Sequence, residues 1–308
     1  MQVMDGVMDS VAVRLATPAH RLSLRDLCGR WFMGTGLFAV ALPGAMAADP
    51  ALPGKLRGGW GRQLLAGASA PAAAGRPCPW DPPCAYDVLF RERPLLKGME
   101  MPKPFLFAAE AGGTDITHLR LTLFGFASDL LDLAADALVR ALATGLDLPG
   151  GRRGVAVAHR RLTGDDHLPL PPVPHAVTLR FHTPLCLRRG GVTLTGTELL
   201  PALVTSLGNR ISALARWQDS ELVADWPGLR NHAATLLVDV TGLHPTQWQR
   251  GSARQDHGPL PMGGLIGDLR LSGDLTPLWP LFCLGETCHT GSHTAQGLGR
   301  YSLVPGGG

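Results

Sequence analysis

Residues 118–162 read HLRLTLFGFASDLLDLAADALVRALATGLDLPGGRRGVAVAHRRL. The opening HLRLTLF alternates apolar and polar side chains, the two-residue period of a strand with one wet face. From 129 to 143 leucines and alanines recur at 3.6-residue spacing, which predicts an amphipathic helix, with Ser128 placed to cap it. Residues 150–154 hold glycines and two arginines in a turn, and 155–162 reads as strand again. Upstream, 105–109 and 37–42 read as strands. Between them, GKLRGGWGRQLLA at 54–66 reads as a glycine-weakened helix with a basic face, and 67–84 as an Ala/Gly/Pro-rich loop. The order from 37 to 162 is therefore β-α-β-β-α-β, a ferredoxin-like unit.

Downstream, GDDHLPLPPVP at 164–174 is a proline-stiffened linker. After it the order recurs: strand 176–182, helix 198–217, strands 234–241 and 265–271, short helix 275–284 and strand 298–304. No repeat at fixed period accompanies this, so the duplication is one of pattern only. The expected fold is α+β, with tandem ferredoxin-like (RNA-recognition-motif-like) domains. Residues 1–34 read as an extension without periodicity, 35–165 as the first domain and 175–305 as the second.

The chain has 308 residues, enough for two such domains. Its 39 glycines and 26 prolines, about a fifth of the total, exclude a mostly helical protein. With 45% hydrophobic and only 17% charged residues it is no disordered polyelectrolyte. Net charge is +3, yet of 28 basic residues only Lys55, Lys97 and Lys103 are lysine. Arginine forks grip phosphate bidentately, although a GC-rich genome also enriches Arg with Ala, Gly and Pro. Three windows contain no carboxylate: 50–80 with Lys55, Arg57, Arg62 and Arg76; 148–164 with Arg152, Arg153, Arg160 and Arg161; and 167–197 with Arg180, Arg188 and Arg189. Three such patches on a balanced chain suit an RNA track. Residues 30–49, RWFMGTGLFAVALPGAMAAD, imitate a secretory signal, but the stretch starts too late, and glycines and Pro43 interrupt its apolar run. It is too short to span a membrane. Six cysteines are ordinary usage, so a reducing cytoplasm is expected.

The carboxyl end, LGETCHTGSHTAQGLGRYSL at 284–303, is the most specific stretch. Gly291, Gly297 and Gly299 would let backbone approach a ligand, and successive amides there could cradle an anion, with Arg300 and Tyr301 next in line. The Gly-Leu-Gly-Arg-Tyr ending, with His289-Thr-Gly291 before it, closely resembles the signature loop of the CRISPR precursor-RNA-processing endoribonucleases. These belong to the RAMP (repeat-associated mysterious protein) superfamily. Leu56-Arg57-Gly58-Gly59-Trp60-Gly61 resembles the family's first-helix motif, and 84–90 with 102–104 looks like its mid-domain lead into a strand. Residues 121–125 and 183–185 also fit, so the resemblance covers roughly 35–304.

The resemblance implies a protein that binds the repeat, a hairpin, in a long CRISPR transcript and cuts it once without metal or other cofactor. A ribose 2′-hydroxyl attacks its own phosphate, leaving a 2′,3′-cyclic phosphate and a 5′-hydroxyl. It further implies retention of the product as a subunit of an effector complex, or, in a second reading, a subunit that binds repeat RNA without cutting. Such cleavage needs a base, an acid and positive charge at the phosphate. Family members often carry a first-helix histidine for this; here the matching helix has none, and Arg62 stands in its place. The candidates for catalysis are thus His289 and His293 for proton transfer, Arg62, Arg57 and Lys55 for charge, and Tyr301 to orient a phosphate. A lysine common beside the loop is replaced by Ser292. RNA contacts are expected from Gly291, Gly297, Gly299, Arg300, Arg152, Arg153, Arg160, Arg161, Arg188 and Arg189. Cys283, Cys288, His289 and His293 have zinc-ligand types, but adjacent Cys288 and His289 rarely share one ion, and no metal is expected.

Overall fold

The computed structural model describes residues 9–93, 101–148, 151–165, 167–250 and 260–306. Gly150 of the expected turn, Asp166 of the linker and residues 1–8 of the extension lie outside these. Two four-stranded antiparallel sheets organise the chain. In the first half, β2 (Met33–Val40), α3 (Leu52–Ala66), β3 (Phe105–Ala111), β4 (Thr117–Phe124), α6 (Leu131–Thr144) and β7 (Val157–Asp165) give the strand order β3-β4-β2-β7. In the second, β8 (Ala176–Leu185), α7 (Leu199–Trp217), the short α8 (Trp226–Ala233), β12 (Leu237–Arg250), β13 (Leu260–Ser272), α9 (Trp279–Cys288) and β14 (Tyr301–Pro305) give β12-β13-β8-β14. Each sheet sets its first strand between its third and its last. That is the ferredoxin-like topology, twice.

Period-two burial in β2 explains how each sheet meets its helices. Gly34, Gly36, Phe38 and Val40 face α3 and α6, while Met33, Thr35, Leu37 and Ala39 face the other way. Under α3, Trp60 packs edge-on against Phe105 and Phe107, at 4.9 and 5.3 Å between ring centroids. Its indole Nε1 donates to the Ala134 carbonyl of α6 at 2.8 Å, so the ring's one polar atom is satisfied in the core.

Local readings differ from the structure where tertiary contacts intervene. Ser128 caps nothing: its hydroxyl accepts from Gly34 N and donates to Leu123 O, both at 2.9 Å, while 125–130 form a 3-10 turn before α6. Residues 84–90, expected to lead into a strand, form α5 (Ala85–Phe90). The loop at 67–84 contains the short α4 (Ala70–Ala73). Strands β5 (Leu146–Leu148) and β6 (Gly151–Arg153) pair antiparallel. Helix α9 starts later than expected, with Pro280 in its first turn, where a missing N–H costs nothing. The β12–β13 hairpin is longer than read because its glycines are not ends. Gly267 sits at φ +111 beside a shift in strand register, where an added Cβ would lie 2.2 Å from the Gly242 carbonyl oxygen.

The described part of the amino-terminal segment is ordered against the second half. Helices α1 (Ser10–Ala16) and α2 (Leu24–Cys28) flank β1 (His20–Leu22). That strand pairs in parallel with β11 (Ser220–Leu222), beyond the short β9 (Arg188–Arg189) and β10 (Val192–Thr193). Val11, Leu15, Leu24, Leu27, Cys28 and Trp31 are buried in the same core as both halves. Arg216 of α7 donates to the Leu15 carbonyl, and the Gln218 amide bonds both N–H and C=O of Phe32. One hydrophobic core runs through both halves.

Candidate functional site

The glycine-rich loop lies in the seam between the halves. Gly297 is buried against β3 and α3, where a Cβ would stand 2.7 Å from both the Phe107 oxygen and Pro53. Gly299, at φ +71, faces its own loop, with the Thr290 oxygen 1.7 Å from any Cβ. The expected amide cradle is corrected, because its donors are already used. Gly291 N donates to Ser206 Oγ, Ser292 N to Cys186 O, Gly297 N to Thr294 O and Gly299 N to Pro184 O, at 2.8–3.0 Å. These glycines bring separate segments of the chain together; the atoms they expose are few.

His289 is buried, at φ +62, under this loop, and its Nδ1 has no partner. Burial, reinforced by the charges of Arg210 and Arg300, holds its pKa well below the usual imidazole range. Arg210 Nε donates to the Cys288 carbonyl at 2.6 Å, anchoring the end of α9. Tyr301 is also in the core: its hydroxyl donates to the Phe282 carbonyl at 2.6 Å, and burial raises its pKa well above the phenolic range. Neither side chain reaches solvent, which corrects their placement at a phosphate. His293, at the outer turn of the loop, is exposed.

The three cations of α3 do not converge. Lys55 and Arg62 are two turns apart and share one face, whereas Arg57 points to the opposite one. Lys55 pairs with Asp49 at 3.4 Å, Arg57 lies 5.2 Å over the Phe90 ring, and exposed Arg62 lies toward α6. The acid-free windows likewise acquire acids from elsewhere in the fold. Arg152 pairs with Asp147, Arg160 with Asp132 and Asp136, Arg189 with Glu198 and Arg180 with Asp268. Such exposed pairs are weak, screened by solvent and salt, so a phosphate can still compete for them. Arg153 and Arg188 are exposed.

A feature missed in the sequence is the outward face of the first sheet. Leu37, Ala39, Ala108, Glu110, His118, Arg120, His159 and Arg161 line a cavity of about 350 Å3 there. At its seam edge, Arg300 pairs with Glu110. That pairing, Arg120 and His182 of the second sheet hold the Glu110 carboxyl below its ordinary pKa despite burial, which opposes them. Burial and the Arg300 charge lower the pKa of His182, whose Nε2 meets Ser302 Oγ at 2.8 Å. The signal for this face was the HLRLTLF alternation itself, which puts His118 and Arg120 on the wet side. Among the described residues, no group of three or more His, Cys, Asp or Glu side chains is gathered as a metal would need. No described helix is long and apolar enough to cross a membrane.

Paired ferredoxin-like halves with a glycine-rich loop wedged between them define the architecture, and each half has its own match. Residues 179–301 match the family model of the CRISPR-associated endoribonuclease Cas6, and 43–166 match a separate amino-terminal domain model. The match to Cas6 is thus carried by the carboxyl-terminal half of the chain. Among solved structures it is similar to a Cas6 (TTHB231) product complex, at 19% identity and a TM-score of 0.53 over 89% of this chain and 99% of that one. It is also similar to Thermus thermophilus Cas6 (TTHB231), at 16% identity and a TM-score of 0.50 over the same shares. No curated protein matches it by sequence.

Proposed function

We propose that this chain is an endoribonuclease that cuts CRISPR repeat RNA in the cytoplasm and retains the product within an effector complex. The observation that carries the reading is the seam: the family's glycine loop is pressed against the first half, with Arg300, Arg120, His182 and exposed His293 around it. A ribose 2′-hydroxyl already adjacent to its phosphate needs positioning, a proton acceptor and charge rather than a metal-bound hydroxide. His293 serves for proton transfer, and Arg62 and Arg300 supply charge. Buried His289 holds the loop in shape and meets no substrate. Arg153 and Arg188 contact phosphates, so a repeat hairpin is held mainly through its backbone.

The test is incubation of the purified protein with its repeat RNA in EDTA. One cut leaving a 2′,3′-cyclic phosphate supports the reading, with His293→Ala slowing it at least about tenfold. Tight binding with no cut in any buffer would leave the second reading, a repeat-binding subunit. The loss of the first-helix histidine and the burial of His289 and Tyr301 favour that alternative.

A further inference from the structure

The cavity on the first sheet has a regular plan. Strand register sets two rows across it: Glu110, His118, Ala39, His159 in one, and Ala108, Arg120, Leu37, Arg161 in the next. The two imidazoles thus flank the smallest side chain of their row. Neighbouring strands are ~4.8 Å apart, so the Cα atoms of His118 and His159 are separated by about 10 Å. Arg120 and Arg161 flank Leu37 in the same way. The floor is apolar (Leu37, Ala39, Ala108), and the walls are rings and planar cations.

We propose that this cavity seats one nucleotide of single-stranded RNA, a segment outside the repeat hairpin. The idea rests on the RNA reading above and adds a site to it. Its volume, about 350 Å3, is at the lower end of pockets that enclose a small ligand. An apolar floor accepts the flat face of a base, and imidazole or guanidinium planes stack on bases as aromatic rings do. Phe38 also borders the cavity, but its ring is buried on the helix side of the sheet, so stacking falls to His118, His159 and Arg120. The phosphate goes to the β7 end. There Arg161 forms no ion pair among the described residues, whereas at the β3 end Glu110 already binds Arg300 and repels an anion. A duplex, whose bases are stacked inside, cannot lay a base on this floor.

The experiment measures fluorescence anisotropy of the full chain with labelled hexamers of adenylate and uridylate, single-stranded and as the A–U duplex. Arg161→Ala should weaken single-strand binding at least tenfold and lower the slope of log K against log salt by about 0.7, the loss of one phosphate contact. Ala39→Leu, at a half-exposed position, fills the floor and should weaken it similarly without removing charge. Neither should alter duplex binding. Variants that bind single strands within twofold of the unmodified chain would overturn the proposal. So would a glutamate hexapeptide that displaces RNA at equal concentration, which would mark an acidic-peptide site instead. Absence of repeat cleavage alongside these losses would remove the nuclease reading and leave the cavity assignment standing. Cleavage without these losses would do the reverse.

Discussion

Gly299→Ala separates a packing role for the glycine loop from an anion-binding one. At φ +71, an alanine pays about 1–2 kcal/mol for left-handed backbone. Its Cβ would also stand 1.7 Å from the Thr290 carbonyl oxygen, a backbone atom with no flexible side chain to swing aside. Relief requires the two segments to part, straining the bonds from Thr290 N to Gly299 O and from Gly299 N to Pro184 O, 3.1 and 3.0 Å long. Each is worth roughly 0.5–1.5 kcal/mol net, bringing the total to about 2–5 kcal/mol. Against a net stability of ~5–15 kcal/mol this is severe but survivable. The thermal unfolding midpoint, followed by tryptophan fluorescence, should fall by about 3–8 °C for a chain of this length. RNA affinity of the folded fraction, measured well below the midpoint, should stay within about threefold. A midpoint unchanged to within a degree, with RNA binding abolished, would show that the loop meets RNA and that the packing argument is wrong.

Gly58 is the opposite case: it is inside α3 with nothing within 4 Å of an added Cβ, so Gly58→Ala should stabilise by about 0.5–1 kcal/mol in urea titration. Tyr301→Phe removes the hydroxyl on the Phe282 carbonyl; about 1–3 kcal/mol should be lost while the cleavage rate at saturating RNA stays within twofold. His289 has a folded pKa below its unfolded value, so the unfolded chain binds the extra proton. Its contribution is complete above the unfolded value, about 6.5, and is lost as pH falls from there toward the folded value. His289→Gln should flatten the stability profile in that acidic window, checked by denaturation midpoints at a series of pH values.

The two β-α-β-β-α-β runs were legible because both periodicities are local. An alternating strand such as 118–124 and a 3.6-residue helix such as α6 declare their buried faces without knowing their partners. The terminal motif was equally plain, since three glycines, His289 and Arg300 stand within twelve residues. What that motif does was not legible, because a glycine's use depends on which backbone stands opposite it. Gly297 faces Phe107 and Pro53, residues about 190 and 240 positions away.

Charge followed the same division. The three windows free of carboxylates are a property of the chain, but Arg160 found Asp132 and Asp136 on a helix, and Arg180 found Asp268 across a strand pair. Arg161, one residue from Arg160, points to the other face of β7 and lines the cavity. Its side of the strand was set by period two; the cavity needed His118, Ala39 and His159 brought into one row. Local order is a matter of a few residues' spacing and is written along the chain. A binding surface is a matter of which distant side chains share a face, and only strand register and the seam between the halves supply that.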